Sequence, residues 1–443
     1  MFHRLFLCLA LLAAVPAWSQ VEPAATGGTR EDDTQMRMPP PVSGESIPTA
    51  TGAEGRSNYL DPGLTFESSY NDNLFPFYSA HPISDVGYTV SPTIELDKMT
   101  SRFRQTWRYD PRFTFYGRTG ARNEADQNAS LDVSYLLSPH LQISAGDTFH
   151  KLSNVFNQPY SSIVDPISGS AIPSPAQVIA PFGHRLSNQA NAQLSYQYSA
   201  NAMIGGGGST GMLAYSNQAN TSGLADSHSY GGSAFFNRRL SGTQYTGSTY
   251  NFMKDADTRQ GTQSETQVHT INMFYSIYLM QKLTLSVSGG PQHFAVTFSP
   301  FPTFASWTTS VTTAGSWQSD RTSLSASYSR SVVGGGGLLG AFHTNSINTS
   351  AHLKLARTWS VEMAGGYQVR KNVSQFSLFS QPGGHTASGT VSVGHPLSER
   401  VTATFRYQRM HQIFNGIAAI SSNPDSDRES ISISYQFRRP LGR

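Results

Sequence analysis

The feature that most constrains the fold is a two-residue alternation of apolar and polar side chains, clearest between Leu355 and Phe437. Residues 359–370, 401–408 and 431–438 exchange the two types at almost every step. Successive side chains of a strand point to opposite faces, so each run predicts a β-strand with one apolar and one polar face. A soluble two-sheet sandwich produces the same pattern. The loops, the repeat and the start of the chain must therefore distinguish a sandwich from a membrane barrel.

Short turns recur along the chain, each between two long alternating segments. They are centred near Lys98, Pro139, Ala200, Gly242, Gln281, Ser319, Arg357 and Ser398. Most spacings are roughly 40 residues, and each holds two long strands where a propeller blade would hold four short ones. Short turns on one side and long polar loops on the other are typical of an outer-membrane barrel. The prediction is an all-β, transmembrane, antiparallel up-and-down β-barrel of about 18 strands, with 16 possible because residues 202–216 and 308–317 alternate weakly.

The start of the chain predicts export. Arg4 precedes an apolar run from Leu5 to Val15 that is too short to span a membrane, and a small-residue cleavage site follows. We therefore predict a signal peptide at 1–19, a disordered periplasmic segment rich in Pro and Gly at 20–57, and the barrel at 58–443. A partner-binding tail or a partial plug is the alternative for 20–57. The one cysteine, Cys8, lies in the predicted signal peptide.

Composition and motifs argue against several function classes. Charged residues make up 13% of the chain and the net charge is +3, which favours neither a soluble enzyme nor a nucleic-acid partner. The histidines lack metal-ligand spacing, and neither Gly205–Gly208 nor Gly334–Gly337 continues as a phosphate loop. We predict no metal, no cofactor and no enzymatic activity, although Ser227-His228-Ser229 places a hydroxyl beside a histidine. Gly334–Gly337 is predicted to be a mobile exterior loop.

The polar face of the predicted strands carries the charged residues that would line a pore. They are Glu67, Glu95, Arg102, Arg104, Arg108, Asp132, Lys354, Glu362, Arg370 and Arg406. Charges that face a water-filled channel stay hydrated and tune its selectivity. Arg102, Arg104 and Arg108 share one parity and predict a basic ladder that favours anionic or sugar-like solutes. In the alternative interpretation, these arginines are simply paired with Glu67 and Glu95.

The longest predicted loop runs from His150 to Arg185 and contains five prolines. Loops of this length are usually functional or disordered. One possibility is that it folds inward and constricts the pore. The other is that it lies on the surface.

The segment Phe66-Glu67-Ser68-Ser69-Tyr70-Asn71-Asp72-Asn73-Leu74-Phe75, followed by Ser84-Asp85, Ser91-Pro92-Thr93-Ile94 and Tyr109-Asp110-Pro111, carries a resemblance to a known family. It resembles the opening of a family of outer-membrane β-barrel porins whose members are often encoded with exopolysaccharide synthesis and export genes. The resemblance implies a barrel and an association with exopolysaccharide. It implies no catalytic residues.

The function predicted from these observations is passive diffusion of small polar or sugar-like solutes through a porin-like channel in the outer membrane. The alternatives are a conduit or accessory for exopolysaccharide secretion and a structural or adhesive barrel with a blocked lumen. The predicted partners are outer-membrane lipid, small polar solutes or polysaccharide, and the barrel-assembly machinery.

Overall fold

A computed structural model describes residues 58–74, 82–120, 123–153, 156, 184–215, 224–259, 261–280, 282–356, 358–373, 383–414 and 425–440. The predicted signal peptide and N-terminal segment lie outside these residues. The strands are β1 (Tyr59–Asn71), β2 (Asp85–Met99), β3 (Phe103–Tyr116), β4 (Glu124–Ser138), β5 (Leu141–Leu152), β6 (Arg185–Ser199), β7 (Ala202–Tyr215), β8 (Asp226–Ser241), β9 (Gln244–Arg259), β10 (Thr262–Met280), β11 (Leu283–Phe298), β12 (Phe304–Gln318), β13 (Thr322–Gly334), β14 (Ala341–Lys354), β15 (Ser360–Asn372), β16 (Gly384–Pro396), β17 (Val401–Phe414), β18 (Asp425–Gln436) and the short β19 (Arg439–Pro440).

The sheet is antiparallel throughout and closes on itself. Each of β1 to β17 pairs with the strand that follows it, and β18 pairs back with β1 from Gly63↔Gln436 to Asn71↔Arg428. The prediction of an all-β, 18-stranded up-and-down barrel is therefore confirmed. The two weakly alternating segments form β7 and β12. In the described part of the chain, no helix is long and apolar enough to cross a membrane.

The predicted short turns join each even-numbered strand to the odd-numbered strand after it, and several share a serine-based hydrogen bond. Ser138 accepts a hydrogen bond from the backbone N–H of His140 at 3.2 Å. Ser398 accepts one from the N–H of Val401 at 3.1 Å. A serine hydroxyl that bonds the backbone a few residues on stabilises a tight turn, which explains the recurring Leu-Ser pattern at these positions. We call this end of the barrel the short-turn end and the opposite end the long-loop end.

The interior face can be identified from contacts between strands far apart in the sheet. Leu213 and Tyr215 on β7 pack in one buried cluster with Phe342 on β14 and Phe414 on β17. Strands this distant around a closed barrel can touch only through its interior. The register then places the mostly polar Ser, Thr, Asn and Gln positions of every strand on the inside.

The outward face is apolar around the whole barrel. Large apolar side chains stand exposed on it, among them Phe66, Tyr88, Phe113, Tyr196, Ile204, Tyr250, Ile271, Trp307, Ile347, Phe405 and Ile433. An exposed apolar exterior around a polar interior inverts the arrangement of a soluble protein. It is the arrangement that lets a closed sheet span lipid with every backbone group paired.

Candidate functional site

Nine of the ten residues predicted to line a pore have inward register. They are Glu67, Glu95, Arg104, Arg108, Asp132, Lys354, Glu362, Arg370 and Arg406. Arg102 lies in the turn between β2 and β3, outside either strand, so it is not part of a ladder with Arg104 and Arg108. The third arginine with inward register on β3 is Arg112, which is the Cα partner of Asp126 on β4.

The exposure of these charges differs between the two ends of the barrel. Toward the short-turn end, Arg108 and Glu95 lie 3.5 Å apart, and their side chains are 51% and 44% exposed. Nearer the long-loop end, Glu67 forms an ion pair with Arg428 of β18, and both side chains are almost fully buried. The pairing predicted as an alternative to the ladder thus exists for Arg108 with Glu95, whereas Glu67 pairs with a different arginine. The lumen is wetter toward the short-turn end.

A seam in the barrel wall explains why the long-loop end is filled. The β12–β13 ladder stops at Val311↔Arg330, whereas the β13–β14 ladder continues to Gly334↔Ala341. Residues 331–334 of β13 therefore leave β12. Together with residues 335–343 they form what we call the lumen hairpin.

The lumen hairpin lies against the inner wall of β10 and β11. Gln292, an inward residue of β11, donates from Nε2 to the carbonyl of Val332 at 3.1 Å. The N–H of Val332 in turn donates to Oε1 of Gln292 at 2.7 Å. Farther along the hairpin, the N–H of Gly340 donates to Oγ of Ser264 on β10 at 2.9 Å. These bonds cross over β12, so the segment predicted as a mobile exterior loop is inside the barrel, and that prediction is wrong.

Glycines allow the hairpin to turn tightly and to approach the wall this closely. A Cβ at Gly334 would overlap the Asp255 carboxylate, and one at Gly335 would overlap the carbonyl oxygen of Leu338. Gly337 has φ +102° and sits where a Cβ would be 2.6 Å from the Tyr215 hydroxyl. Only glycine adopts such a conformation without strain.

The tip of the hairpin reaches across the lumen. Leu338 is fully buried in the cluster that joins β7, β14 and β17, and Leu224 before β8 packs there too. The N–H of Ala225 donates to the carbonyl of Gly337 at 2.9 Å. From the opposite side, Arg370 of β15 donates from Nη1 to the carbonyl of Gly335 at 3.1 Å. Arg370, predicted to line a pore, is instead 1% exposed and holds the hairpin.

The described start of the long loop after β5 also enters the lumen. Ser153 donates from its backbone N–H to Asp126 of β4 at 2.7 Å. Phe156 is buried against Met410, an inward residue of β17. Residues 154–155 and 157–183 lie outside the described part of the chain, so both courses considered for the loop, inward into the pore or along the surface, stay open.

Below the hairpin the inner wall forms an uncharged, hydrogen-bonding recess. Its polar lining comes from Gln189, Asn191, Gln193, Ser209, Ser229, Ser233, Asn251, Thr270 and Gln292, with Val332 of the hairpin at its upper edge. None of the described lining residues carries a charge. Gly207 and Gly231 form part of its wall, where a Cβ would lie 2.6 Å from the Ala192 carbonyl and 2.5 Å from Oγ of Ser209.

The Ser-His pair considered at the sequence level does not form a catalytic arrangement. Ser227 faces inward and donates to Asp255 at 2.5 Å, whereas His228 has the opposite register and is exposed outside. Among the described residues, no group of three or more His, Cys, Asp or Glu side chains could hold a metal ion.

Several residues that shape the lumen escaped sequence reasoning. Arg112 and Arg428 share the inward parity of the predicted charges, and that parity was the available signal. Asp255 and Asp257 also share it, but nothing in the sequence shows that the hairpin covers them. Gln292 stands out neither by charge nor by motif.

No protein-family model matches the chain. No curated protein matches it either. Among solved structures, the FrpB iron transporter from Neisseria meningitidis (F5-1 variant) is 12% identical with a TM-score of 0.44, over 86% of this chain and 70% of its own. OccK2 (OpdF) from Pseudomonas aeruginosa is 9% identical with a TM-score of 0.44, over 86% and 98%. OprD from Pseudomonas aeruginosa is 10% identical with a TM-score of 0.39, over 88% and 98%. At these identities and scores we draw no functional conclusion from the similarity.

Proposed function

We propose that the chain is an outer-membrane channel for small polar, sugar-like solutes, and that the lumen hairpin is its gate. The closed antiparallel barrel and its apolar exterior support the outer-membrane location. Barrels of 16 to 18 strands are wide enough to leave an aqueous channel. We expect such a channel to have membrane lipid and the barrel-assembly machinery as partners, and no catalytic activity.

The observation that carries this proposal is the uncharged recess below the hairpin. Its amide and hydroxyl groups offer both donors and acceptors, as a polyhydroxylated solute requires. Within the described chain, the side chains of Gln189, Asn191 and Asn251 make no hydrogen bond to protein, so they are available to a solute or to water. A strongly charged constriction would instead favour ions.

The test is swelling of liposomes that contain the purified chain, with glucose outside and gluconate as the charged comparison. Wild type is expected to swell slowly because the hairpin closes the lumen. Gly335→Ala is expected to swell faster, and more with glucose than with gluconate, because the added methyl group overlaps the Leu338 carbonyl and distorts the turn of the hairpin. Gly232→Ala is the matched control, since a Cβ there meets nothing within 4 Å.

Absence of swelling with Gly335→Ala, in protein shown to be folded by heat-modifiable migration on a gel, would contradict the channel. It would favour the structural barrel with a blocked lumen, which the apolar cluster across the lumen also supports.

The exopolysaccharide role implied by the family resemblance would require the lumen to stay open for longer than passage of a small solute does. A polymer would meet the same hydroxyl and amide groups, but the hairpin would have to stay aside while the whole chain passed. Uptake of a maltodextrin series through Gly335→Ala separates the two functions. A sharp cut-off after the shortest sugars supports the small-solute channel, and passage of long chains supports the conduit.

A further inference from the structure

A groove on the outside of the barrel lies where the strands carry small residues. Gly315 and Thr313 on β12 and Ala326 on β13 form its floor. The groove is open to the outside and has a volume of about 670 Å³, and its larger lining residues are Tyr275, Ile277, Leu285, Val287, Tyr328 and Ile347. The outward register of Thr313, Gly315 and Ala326 places the groove on the face that is apolar around the whole barrel.

A cation, Arg330, lies next to this groove. Arg330 is two residues beyond Tyr328 on β13, has the same outward register and is exposed. No carboxylate in the described chain pairs with it. Arg330 and Val311 form the last pair of the β12–β13 ladder, so the arginine also marks the lower end of the seam. An arginine that borders a lipid-facing apolar surface is costly unless an anion compensates its charge.

The geometry points to a specific binding site for a membrane lipid with an anionic, phosphate-bearing headgroup. The guanidinium of Arg330 would contact the phosphate, with which it can form two parallel hydrogen bonds. An acyl chain would lie in the groove over Gly315 and Ala326, which larger side chains would fill. His343 on β14 is a titratable group that interacts electrostatically with Arg330. This inference rests on the proposed membrane location but not on transport.

The experiment is native mass spectrometry of the full chain in detergent, titrated with phosphatidylglycerol or with phosphatidylcholine of the same acyl chains. Wild type is expected to bind phosphatidylglycerol about ten-fold more tightly. Arg330→Gln is expected to remove that preference and Arg330→Lys to restore most of it. Ala326→Leu is expected to weaken binding of both lipids, because it fills the groove.

The matched controls are Arg238→Gln and Ala403→Leu, which alter outward residues away from the groove and should leave both affinities unchanged. The inference is overturned if Arg330→Gln keeps the preference or Ala326→Leu leaves binding intact. It is also overturned if inorganic phosphate competes with the lipid, since that would indicate a simple anion site. Liposome swelling by the same variants should not change, so this site can fail without the channel failing.

Discussion

Gln292 is the residue that ties the lumen hairpin to the barrel wall. Its Nε2 donates to the carbonyl of Val332 and its Oε1 accepts from the N–H of Val332, as the backbone of a neighbouring strand would. The same Nε2 also donates to Oγ1 of Thr270 at 3.1 Å. The side chain is 2% exposed. It supplies backbone partners that the hairpin lost when β13 separated from β12, since buried peptide groups are rarely left without partners.

Replacing Gln292 with leucine should therefore loosen the hairpin while preserving the volume of the side chain. We expect a loss of about 1–3 kcal/mol in the free energy of unfolding, because the Val332 groups lose their hydrogen bonds inside the protein. Single-channel recordings should show longer open times than wild type. Ser288→Ala, an inward change on the same strand, is the control. Open times equal to those of wild type would show that Gln292 does not hold the gate.

At the scale of elements, β3 carries a column of inward arginines, and its members differ in their partners. Arg108 has Glu95 at 3.5 Å, and Arg112 is the Cα partner of Asp126. Arg104 is exposed and interacts electrostatically with Asp132. Partial pairing of this kind leaves Arg104 as the member best placed to act on ions in the lumen.

Charge reversal in this column tests the predicted basic ladder. Arg104→Glu is expected to shift the zero-current potential in a salt gradient toward cations, changing the permeability ratio by a factor of about two or more. Arg108→Glu should shift it in the same direction. The comparison variant is Arg238→Glu, an outward arginine of β8. An unchanged potential in both inward variants would rule out the ladder.

The alternation of single strands was sufficient to predict their two faces. In β15, Val361, Met363 and Tyr367 point outward while Glu362 and Arg370 point inward, as a period of two requires. Short turns were equally predictable because a serine beside the turn carries a local signal. Both features depend on residues close together in sequence.

The lumen hairpin was not predictable in this way. Its bonds join Gln292 to Val332 over 40 residues and Ser264 to Gly340 over 76 residues. The glycines at 334–337 are compatible with an exposed loop as well as with close packing, since the sequence does not show what lies opposite them. The apolar Leu338 and Leu339 were the local hint that this segment is buried.

At the scale of the molecule, the barrel wall is continuous over most of its height. The exposure of the side chains in the lumen differs between the two ends. Toward the short-turn end, the inward side chain of Glu362 is 65% exposed. Near the long-loop end, side chains from β7, β14 and β17 meet around Leu338 in one buried cluster inside the barrel. The hairpin is held to the wall by polar contacts, by two buried apolar clusters and by the β14–β15 ladder, which continues to Phe342↔Asn372.

The most direct measurement is formation of a disulfide between the hairpin tip and the opposite inner wall. Leu338→Cys combined with Leu213→Cys joins two members of the cluster across the lumen, and the native Cys8 lies in the predicted signal peptide. Mild oxidation should produce a cross-linked species on a non-reducing gel, and its reduction should increase single-channel conductance. The control pair, Leu338→Cys with Ala214→Cys, places the second cysteine on the outward face and should not cross-link. Cross-linking of the control pair instead of the lumen pair would contradict a hairpin that closes the barrel from inside.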